Sequence, residues 1–386
     1  MSLLRLHIPQ SEDRISALPD SVLDRILSFL PTKQAVATGI LSKRWKPLWR
    51  SQLSLYFNDR SFPNNFAFCQ FFYSFVTMRL RESILPILSF HLHFHYCFCH
   101  QDFYNFLYVP VTRGVQTLII HISRSDYSTS LPSFVLTTAT LSVLKLKRIT
   151  LDHVPCVDLP NLKVLHMKYV TFPCYEYLEK LLSGCPILQE LETKGLRKKI
   201  PNEKFDLDFA IPNLVGANIS GDITIGLEWL HNVERLQIQL NWRPITSISG
   251  MFHNLTHLEL IFNFHYPSLV SLKWPWLIKL LQNTPNLQTL IIDQVHVIRR
   301  HYVNKWEDPE VVPECLLSHL TTCELRNYNH INCELPFPKY IMQNSRLLNT
   351  MAIQTANFVD RNTKLQMLID LSSCPRISPR CKLLFT

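Results

Sequence analysis

One phrase recurs along most of this chain and restricts its fold more than any other feature: apolar-x-x-apolar-x-apolar. Its key positions are Val115/Leu118/Ile120, Leu141/Leu144/Leu146, Leu162/Leu165/Met167, Leu188/Leu191/Thr193, Leu214/Ala217/Ile219, Val233/Leu236/Ile238, Leu255/Leu258/Leu260, Leu287/Leu290/Ile292, Leu320/Cys323/Leu325 and Leu348/Met351/Ile353. The middle positions step by 26, 21, 26, 26, 19, 22, 32, 33 and 28 residues. Alternation in the second half of the phrase describes a short strand. One face takes the apolar set, and the other takes intervening residues such as Lys145, His166 and Glu259. Between phrases lie helical stretches: Tyr177–Leu182, stopped by Gly184 and Cys185-Pro186, and Trp276–Leu281, stopped near Asn283-Thr284-Pro285. A strand–turn–helix unit of this size cannot bury its apolar side alone, so such units stack.

The expected fold is therefore α/β, with a curved parallel sheet and outer helices. Repeats of about 20–29 residues with this spacing are those of leucine-rich-repeat solenoids; most steps fit, and the late ones carry insertions. A compact α/β domain is the alternative, and a phrase repeated this often speaks for the solenoid. The 47% apolar content then resolves into inward-facing repeat positions. Only 8 glycines occur, and no pair or triple has the offsets of a phosphate loop, a dinucleotide fingerprint or a nucleophile elbow.

The first fifty residues follow another pattern. In LPDSVLDRILSFLP, Leu18, Val22, Ile26 and Leu30 recur every fourth position with Leu23 and Leu27 beside them, a broad helical stripe. Pro19 suits a first helical turn and Pro31 ends the segment. Thr32 is placed to cap a second short helix carrying Ala35, Val36, Ile40 and Leu41. Ser42 is placed to cap a third, with Trp45, Leu48 and Trp49 on one face. Periodicity alone leaves two readings open: a cap packed on the next domain, or a face kept for a partner.

The segment DRISALPDSVLDRILSFLPTKQAVATGILSKRWKPLW resembles the F-box, in the form found in large plant families. That resemblance implies docking to a Skp-type adaptor, and through it a cullin, in an SCF ubiquitin ligase. The matching positions are Leu18, Pro19, Val22, Ile26, Leu30, Pro31, Val36, Leu41, Ser42, Trp45 and Trp49. Gly39 departs from the usual Ser. From Trp306 the sequence resembles the FBD region of plant F-box/leucine-rich-repeat proteins, through Trp306, Pro309, Pro313, Glu314, Cys315, Leu316, Glu334 and Tyr340. Pro336 and Pro338 depart from it, and place the next helix start no earlier than about Lys339. The expected organisation is an F-box over 12–52, a repeat solenoid over 53–305 and FBD-like C-terminal repeats over 306–386.

Chemistry-bearing clusters are few. In FHLHFHYCFCH a strand places His91, His93, His95, Cys97 and Cys99 on one face, residue types that bind zinc. A row along one strand is not a tetrahedron, so an early solenoid strand with a polar outer face is the reading, with no metal and no cofactor. The carboxylate pairs Glu190/Glu192 and Asp206/Asp208 stand two apart, as on any polar strand face. No nucleophile signature or HExxH occurs, so no catalytic residue is assigned and the chain is read as a non-catalytic subunit.

Eleven cysteines and no secretory leader indicate a reduced, intracellular setting, nucleus or cytoplasm, in which the sequons at Asn218 and Asn254 are chance matches. The charge-free windows at 61–78 and 83–100 are too interrupted for membrane spans. The net charge of +9 is scattered without a basic arm or nucleic-acid module, so neither membrane nor nucleic acid is read as a partner. Two functions remain: a ligase subunit whose repeats hold an unidentified target protein, or a repeat scaffold or ligand sensor whose F-box does not engage the ligase.

Overall fold

The computed structural model describes residues 15, 17–82, 85–95, 99–123, 129–199, 211–221, 227–240, 248, 250–263, 267–295, 306, 308–328 and 335–385. They fall into two compact units, Met1–Tyr127 and Ser128–Thr386.

Unit 1 begins with helices α1 (Asp20–Leu27), α2 (Thr32–Ala37) and α3 (Trp45–Leu48), with a 3-10 turn over Thr38–Ile40. Strand β1 (Ser54–Asn58) leads to α4 (Asn65–Glu82), β2 (Ser89–Phe94), α5 (His100–Thr112) and β3 (Thr117–Ile122). The strands are parallel, with Leu55 beside Phe90 and Phe90 beside Leu118. The early solenoid strand read in FHLHFHYCFCH is β2, and with Ile87 its Phe90 and Leu92 fill the same three key positions and are buried. Phenylalanines build this core. Phe72 lies 4.9 Å from Phe57 and 4.5 Å from Phe106, both edge-on, and Phe94 lies 5.7 Å from Phe106. Such pairs add about 0.5–1.5 kcal/mol each beyond their buried area.

The three N-terminal helices are fastened to that core. Trp49 meets Phe75 at 5.2 Å, and Arg79 donates to the Arg50 carbonyl. The expected caps do not form. Pro31 precedes α2, and the Thr32 hydroxyl instead accepts the Tyr56 N–H of β1 at 2.9 Å. Ser42 supplies only its carbonyl, to Trp45 N–H, and its side chain caps nothing. Thr32 is the first residue of α2 rather than its cap, and Ser42 stands two residues before the cap position of α3, so neither hydroxyl is placed to cap a helix.

Unit 2 contains β4 (Val143–Lys147), β5 (Val164–Lys168), the two-residue β6 (Thr171–Phe172), α6 (Tyr175–Ser183), β7 (Glu190–Lys194) and the two-residue β8 (Arg197–Lys198). Then come β9 (Gly216–Ser220), β10 (Arg235–Leu240), β11 (His257–Phe262), α7 (Pro267–Gln282) and β12 (Thr289–Gln294). It ends with α8 (Glu314–Ser318), β13 (Thr322–Tyr328), α9 (Pro336–Asn344), β14 (Thr350–Thr355), α10 (Arg361–Ser372) and β15 (Lys382–Phe385). Apart from the small β6–β8 pair, the strands of unit 2 are neighbours in chain order and parallel.

Register aligns the middle key positions side by side: Leu144, Leu165, Leu191, Ala217, Leu236, Leu258, Leu290, Cys323, Met351 and Leu383. Every key position read from the sequence is buried, Ala217 being the most accessible at 6%. This is the solenoid-type α/β repeat expected. The entry to most strands of unit 2 is a turn in which the first key residue donates its N–H three residues back, as Leu162 to Leu159 and Leu287 to Thr284, whereas Leu320 reaches back to Cys315. The residue before it is often asparagine. Asn161, Asn213, Asn232 and Asn286 each donate a side-chain N–H to a carbonyl of the preceding repeat, those of Ala139, Pro186, Pro212 and His253, at 2.7–3.2 Å. These amides join one repeat to the next where the turns leave carbonyls unpaired.

After β4, β5 and β7 the chain turns through left-handed backbone at Arg148, Tyr169 and Gly195, with φ 55°, 56° and 57°. Each N–H there donates to the carbonyl ending the next strand, which offsets the unfavourable φ of Arg148 and Tyr169. Gly195 also lies under the Tyr169 ring, where an added Cβ would stand 2.7 Å from a ring carbon. Gly184, read as a helix stop, has φ −76°, so conformation does not require it. Its backbone approaches Val157 so closely that a Cβ would stand 2.4 Å from a Val157 methyl carbon.

Helix α9 starts at Pro336, three residues before the expected Lys339. Pro336 and Pro338 occupy its first turn, where N–H groups have no intrahelical acceptor and proline costs nothing.

Candidate functional site

Two surfaces are candidates. The first is formed by α1 and the turn after α2. The broad stripe of α1 divides: Leu23 and Leu27 face inward and are buried, whereas Val22, Ile26 and Phe29 remain 40%, 39% and 73% exposed. Beyond α2, Ile40 and Leu41 are 88% and 65% exposed. Arg25 lies over the Phe29 ring at 5.2 Å, and Arg44 ties the turn to α1 through Asp20 at 2.6 Å. Large apolar side chains concentrated on a small helical unit, with their neighbours already packed, make this a candidate docking face.

Of the residues read as adaptor-binding, Pro19, Val22, Ile26, Leu41 and Ser42 are exposed, and Leu18, Leu30, Pro31 and Val36 are half-buried. Trp45 and Trp49 are buried, at 4% and 5% exposure, and support the face from beneath. Phe29 and Ile40 were not among the residues read as adaptor-binding. Phe29 continues the Val22–Ile26 spacing by one helical turn, and that signal was present.

The second surface is the open face of the sheet in unit 2. A cavity of about 350 Å³ lies over β9, where Gly216 and Asn218 leave room. Its rim carries His166, Glu190 and Glu192 on one side and Arg235, His257 and Glu259 on the other. These charges are largely paired. Glu192 meets Lys168 at 2.7 Å and His166 at 3.1 Å, and Arg326 meets Glu259 and Glu324 at 2.8 Å each. Burial, reinforced by Lys145, holds His166 below the usual imidazole range, so it is neutral at pH 7. Glu190 and Glu192 each face a cation, Arg235 at 4.0 Å and Lys168 at 2.7 Å, rather than forming an acid–base pair. Asp206 and Asp208 lie outside the described residues.

The histidine strand has local partners. His91 accepts or donates to Ser89 Oγ at 3.0 Å, His93 to Tyr56 at 3.3 Å, and His95 meets the buried Asp59 carboxylate at 2.9 Å. Cys99 caps α5, with its sulfur accepting Asp102 N–H at 3.3 Å. Cys97 lies outside the described residues. Among the described residues, no group of His, Cys, Asp and Glu is arranged to hold a metal ion. No helix among them is long and apolar enough to cross a membrane.

Three family comparisons match along the chain. The F-box domain matches residues 15–56, the leucine-rich repeats of FBD-associated F-box protein At5g56370 match 104–204, and the FBD matches 307–353. The putative FBD-associated F-box protein At5g56440 of Arabidopsis thaliana is 32% identical over 97% of this chain and the whole of its own length. The F-box/FBD/LRR-repeat protein At4g26340 of the same plant is also 32% identical, with the same coverage. The chain belongs to the FBD-associated F-box/LRR-repeat family.

In this family member the FBD match covers β13 and the first part of β14, which continue the parallel repeat ladder, with one register shift between Leu325 and Tyr328, rather than starting a new fold. An aromatic cluster fastens the two parts: Trp274 of α7 stacks on Phe337 of α9 at 4.5 Å, and Trp306 meets Tyr340 at 5.6 Å. Glu334 lies outside the described residues. Gly39 of the F-box sits in the 3-10 turn, where a Cβ would meet nothing closer than 3.5 Å, so the usual Ser would fit.

Burial pushes the Cys185 and Cys315 thiols up to about 12, leaving almost no thiolate at neutral pH. Iodoacetamide at mildly alkaline pH is therefore expected to alkylate the exposed Cys99 and Cys156 and to spare Cys185, Cys315 and Cys323 until denaturant is added. Peptide mass mapping reads the pattern, and rapid native labelling of Cys185 would show that its repeat is open.

Proposed function

We propose that this F-box/FBD/LRR-repeat protein is the target-recognition subunit of an SCF-type ubiquitin ligase. The reading rests on the exposed apolar set Val22, Ile26, Phe29, Ile40 and Leu41 within the F-box match. That face holds a Skp-type adaptor and through it cullin, and Leu18, Pro19, Leu30, Pro31, Val36 and Ser42 frame it. The open face of unit 2 holds the target protein. Tethering raises the effective concentration of a target lysine near the charged transfer enzyme, so the chemistry belongs to the partner and this chain supplies no catalytic group. The setting is intracellular, where that machinery operates.

The purified full-length chain, mixed with a Skp-type adaptor, is expected to elute as a one-to-one complex in gel filtration. A folded chain that never captures adaptor leaves the repeat scaffold as the function. Deleting 12–52 is a poor test, because it strips Trp49 and Thr32 from the core of unit 1.

A further inference from the structure

The open face of unit 2 has a charge pattern that its own packing does not explain. Lys147 ends β4, Lys168 ends β5 and Lys194 ends β7. Register places them directly side by side on adjacent strands. Like charges facing each other across neighbouring strands destabilise a sheet. Lys145 lies two residues before Lys147 on the same face, and Arg148 follows it. Elsewhere on this face cations are neutralised, as Arg326 is by Glu259 and Glu324. Here Glu192 neutralises Lys168 alone, at 2.7 Å. Among the described residues no carboxylate forms an ion pair with Lys145, Lys147 or Lys194. Burial and then the neighbouring Arg148, Lys168 and Lys194 hold Lys147 below the usual lysine range, the direction expected where cations crowd without an anion.

The row is held rigidly. The left-handed turns at Arg148 and Tyr169 are bonded to the carbonyls of Lys168 and Lys194, and the Arg148 guanidinium lies over the Tyr169 ring at 5.2 Å. The strands thus fix a line of cations running across the sheet, and an extended chain laid over β4, β5 and β7 would meet one at each strand spacing of about 4.8 Å.

We propose that Lys147, Lys168 and Lys194, with Lys145 and Arg148, bind an acidic segment of the target protein, an extended stretch of carboxylate or phosphoester side chains. This rests on the reading of the repeats as the target-holding part. It also accounts for part of the +9 net charge as a localised row.

The test uses the full chain and three fluorescein-labelled peptides: a Glu-rich peptide, a phosphoserine peptide of the same length, and the Glu-rich sequence with Gln throughout. Fluorescence anisotropy is expected to give saturable binding of at least one anionic peptide, weakened about tenfold by K147Q/K194Q and further as salt rises from about 50 to about 300 mM. Which anionic peptide binds tighter separates carboxylate from phosphate. K180Q/K382Q, which removes the same charge elsewhere in unit 2, is expected to bind as the parent does. Removing the facing lysines is expected to leave the melting temperature unchanged or raise it by about 1–3 °C, which separates a binding role from a structural one. Should the double variant fail to fold, K194Q alone, at an exposed side chain, is measured.

Equal affinity of parent and variant, equal binding of the Gln peptide, or tighter binding of a short single-stranded RNA than of either anionic peptide would each overturn the proposal. Adaptor capture is measured on the same samples. Its loss with peptide binding intact counts against the ligase reading and leaves the lysine row standing, and the converse isolates failure of the row.

Discussion

Ile40→Asp combined with Leu41→Asp is expected to weaken adaptor binding by about 30- to 1000-fold while leaving the fold intact. Both side chains project into solvent from the turn after α2, so the free chain loses little packing, and exposed substitutions stay within about 0.5 kcal/mol. Under the proposed docking the same positions become buried against the adaptor. Losing an apolar anchor at the centre of an interface costs about 2–4 kcal/mol, and an aspartate placed there must be desolvated without a partner. Titration calorimetry with purified adaptor reads the affinity, and circular dichroism reads the melt. Trp45→Ala is the contrasting variant. Its side chain is buried in unit 1, so its effect is expected in the melt first and in adaptor binding only as a consequence. Unchanged affinity in the aspartate pair would remove this face as the docking surface.

In unit 2 the largest single effect is expected from Leu258→Ala, a loss of about 3–5 kcal/mol. Leu258 is fully buried, with Leu236 and Leu290 at the same register on the flanking strands. The ladder fixes those neighbours, so they cannot close the cavity. Each repeat is stabilised by the repeats beside it, so a defect in the middle weakens both halves. At about 2–4 °C per kcal/mol for a unit of this size, the melt falls by about 6–20 °C. Glu259→Gln, one residue further on and on the open face, removes one of the two carboxylates on Arg326 and is expected to cost under about 1 kcal/mol. Calorimetric melts of both variants check the contrast. Similar losses would mean that the alternation of buried and open positions does not carry the stability.

The repeat positions were legible because a strand with one buried face writes its orientation into the letters with a period of two. The full phrase emerged from Val115 onward, with one earlier strand read in FHLHFHYCFCH, and stopped short of β1. Phe90 and Leu92 are as apolar as any later pair, but β1 enters with the buried Gln52 in place of an aliphatic residue, which hid the first copy. The F-box was legible as a resemblance, and its working face was not. Val22, Leu23, Ile26 and Leu27 are all apolar, so helical periodicity gives one wide stripe and no statement of which edge is buried. Trp45 and Trp49 share a face whether that face is core or interface; in the fold it is core. Pro336 and Pro338 misled for a related reason, since a proline forbids a helix interior and is welcome in a first turn, and only the fold shows where the helix begins.

Sequence by itself determined the α/β repeat, its apolar ladder, the helical N-terminal unit and the family, because these follow from short-range periodicity and from motifs read along the chain. Tertiary structure alone decided which apolar groups remain uncovered on α1 and after α2, which histidines and carboxylates are already paired, and that three lysines some twenty-odd residues apart stand side by side. Those are statements about register and burial, set by how distant segments pack, and a linear pattern with several apolar faces is compatible with more than one such packing.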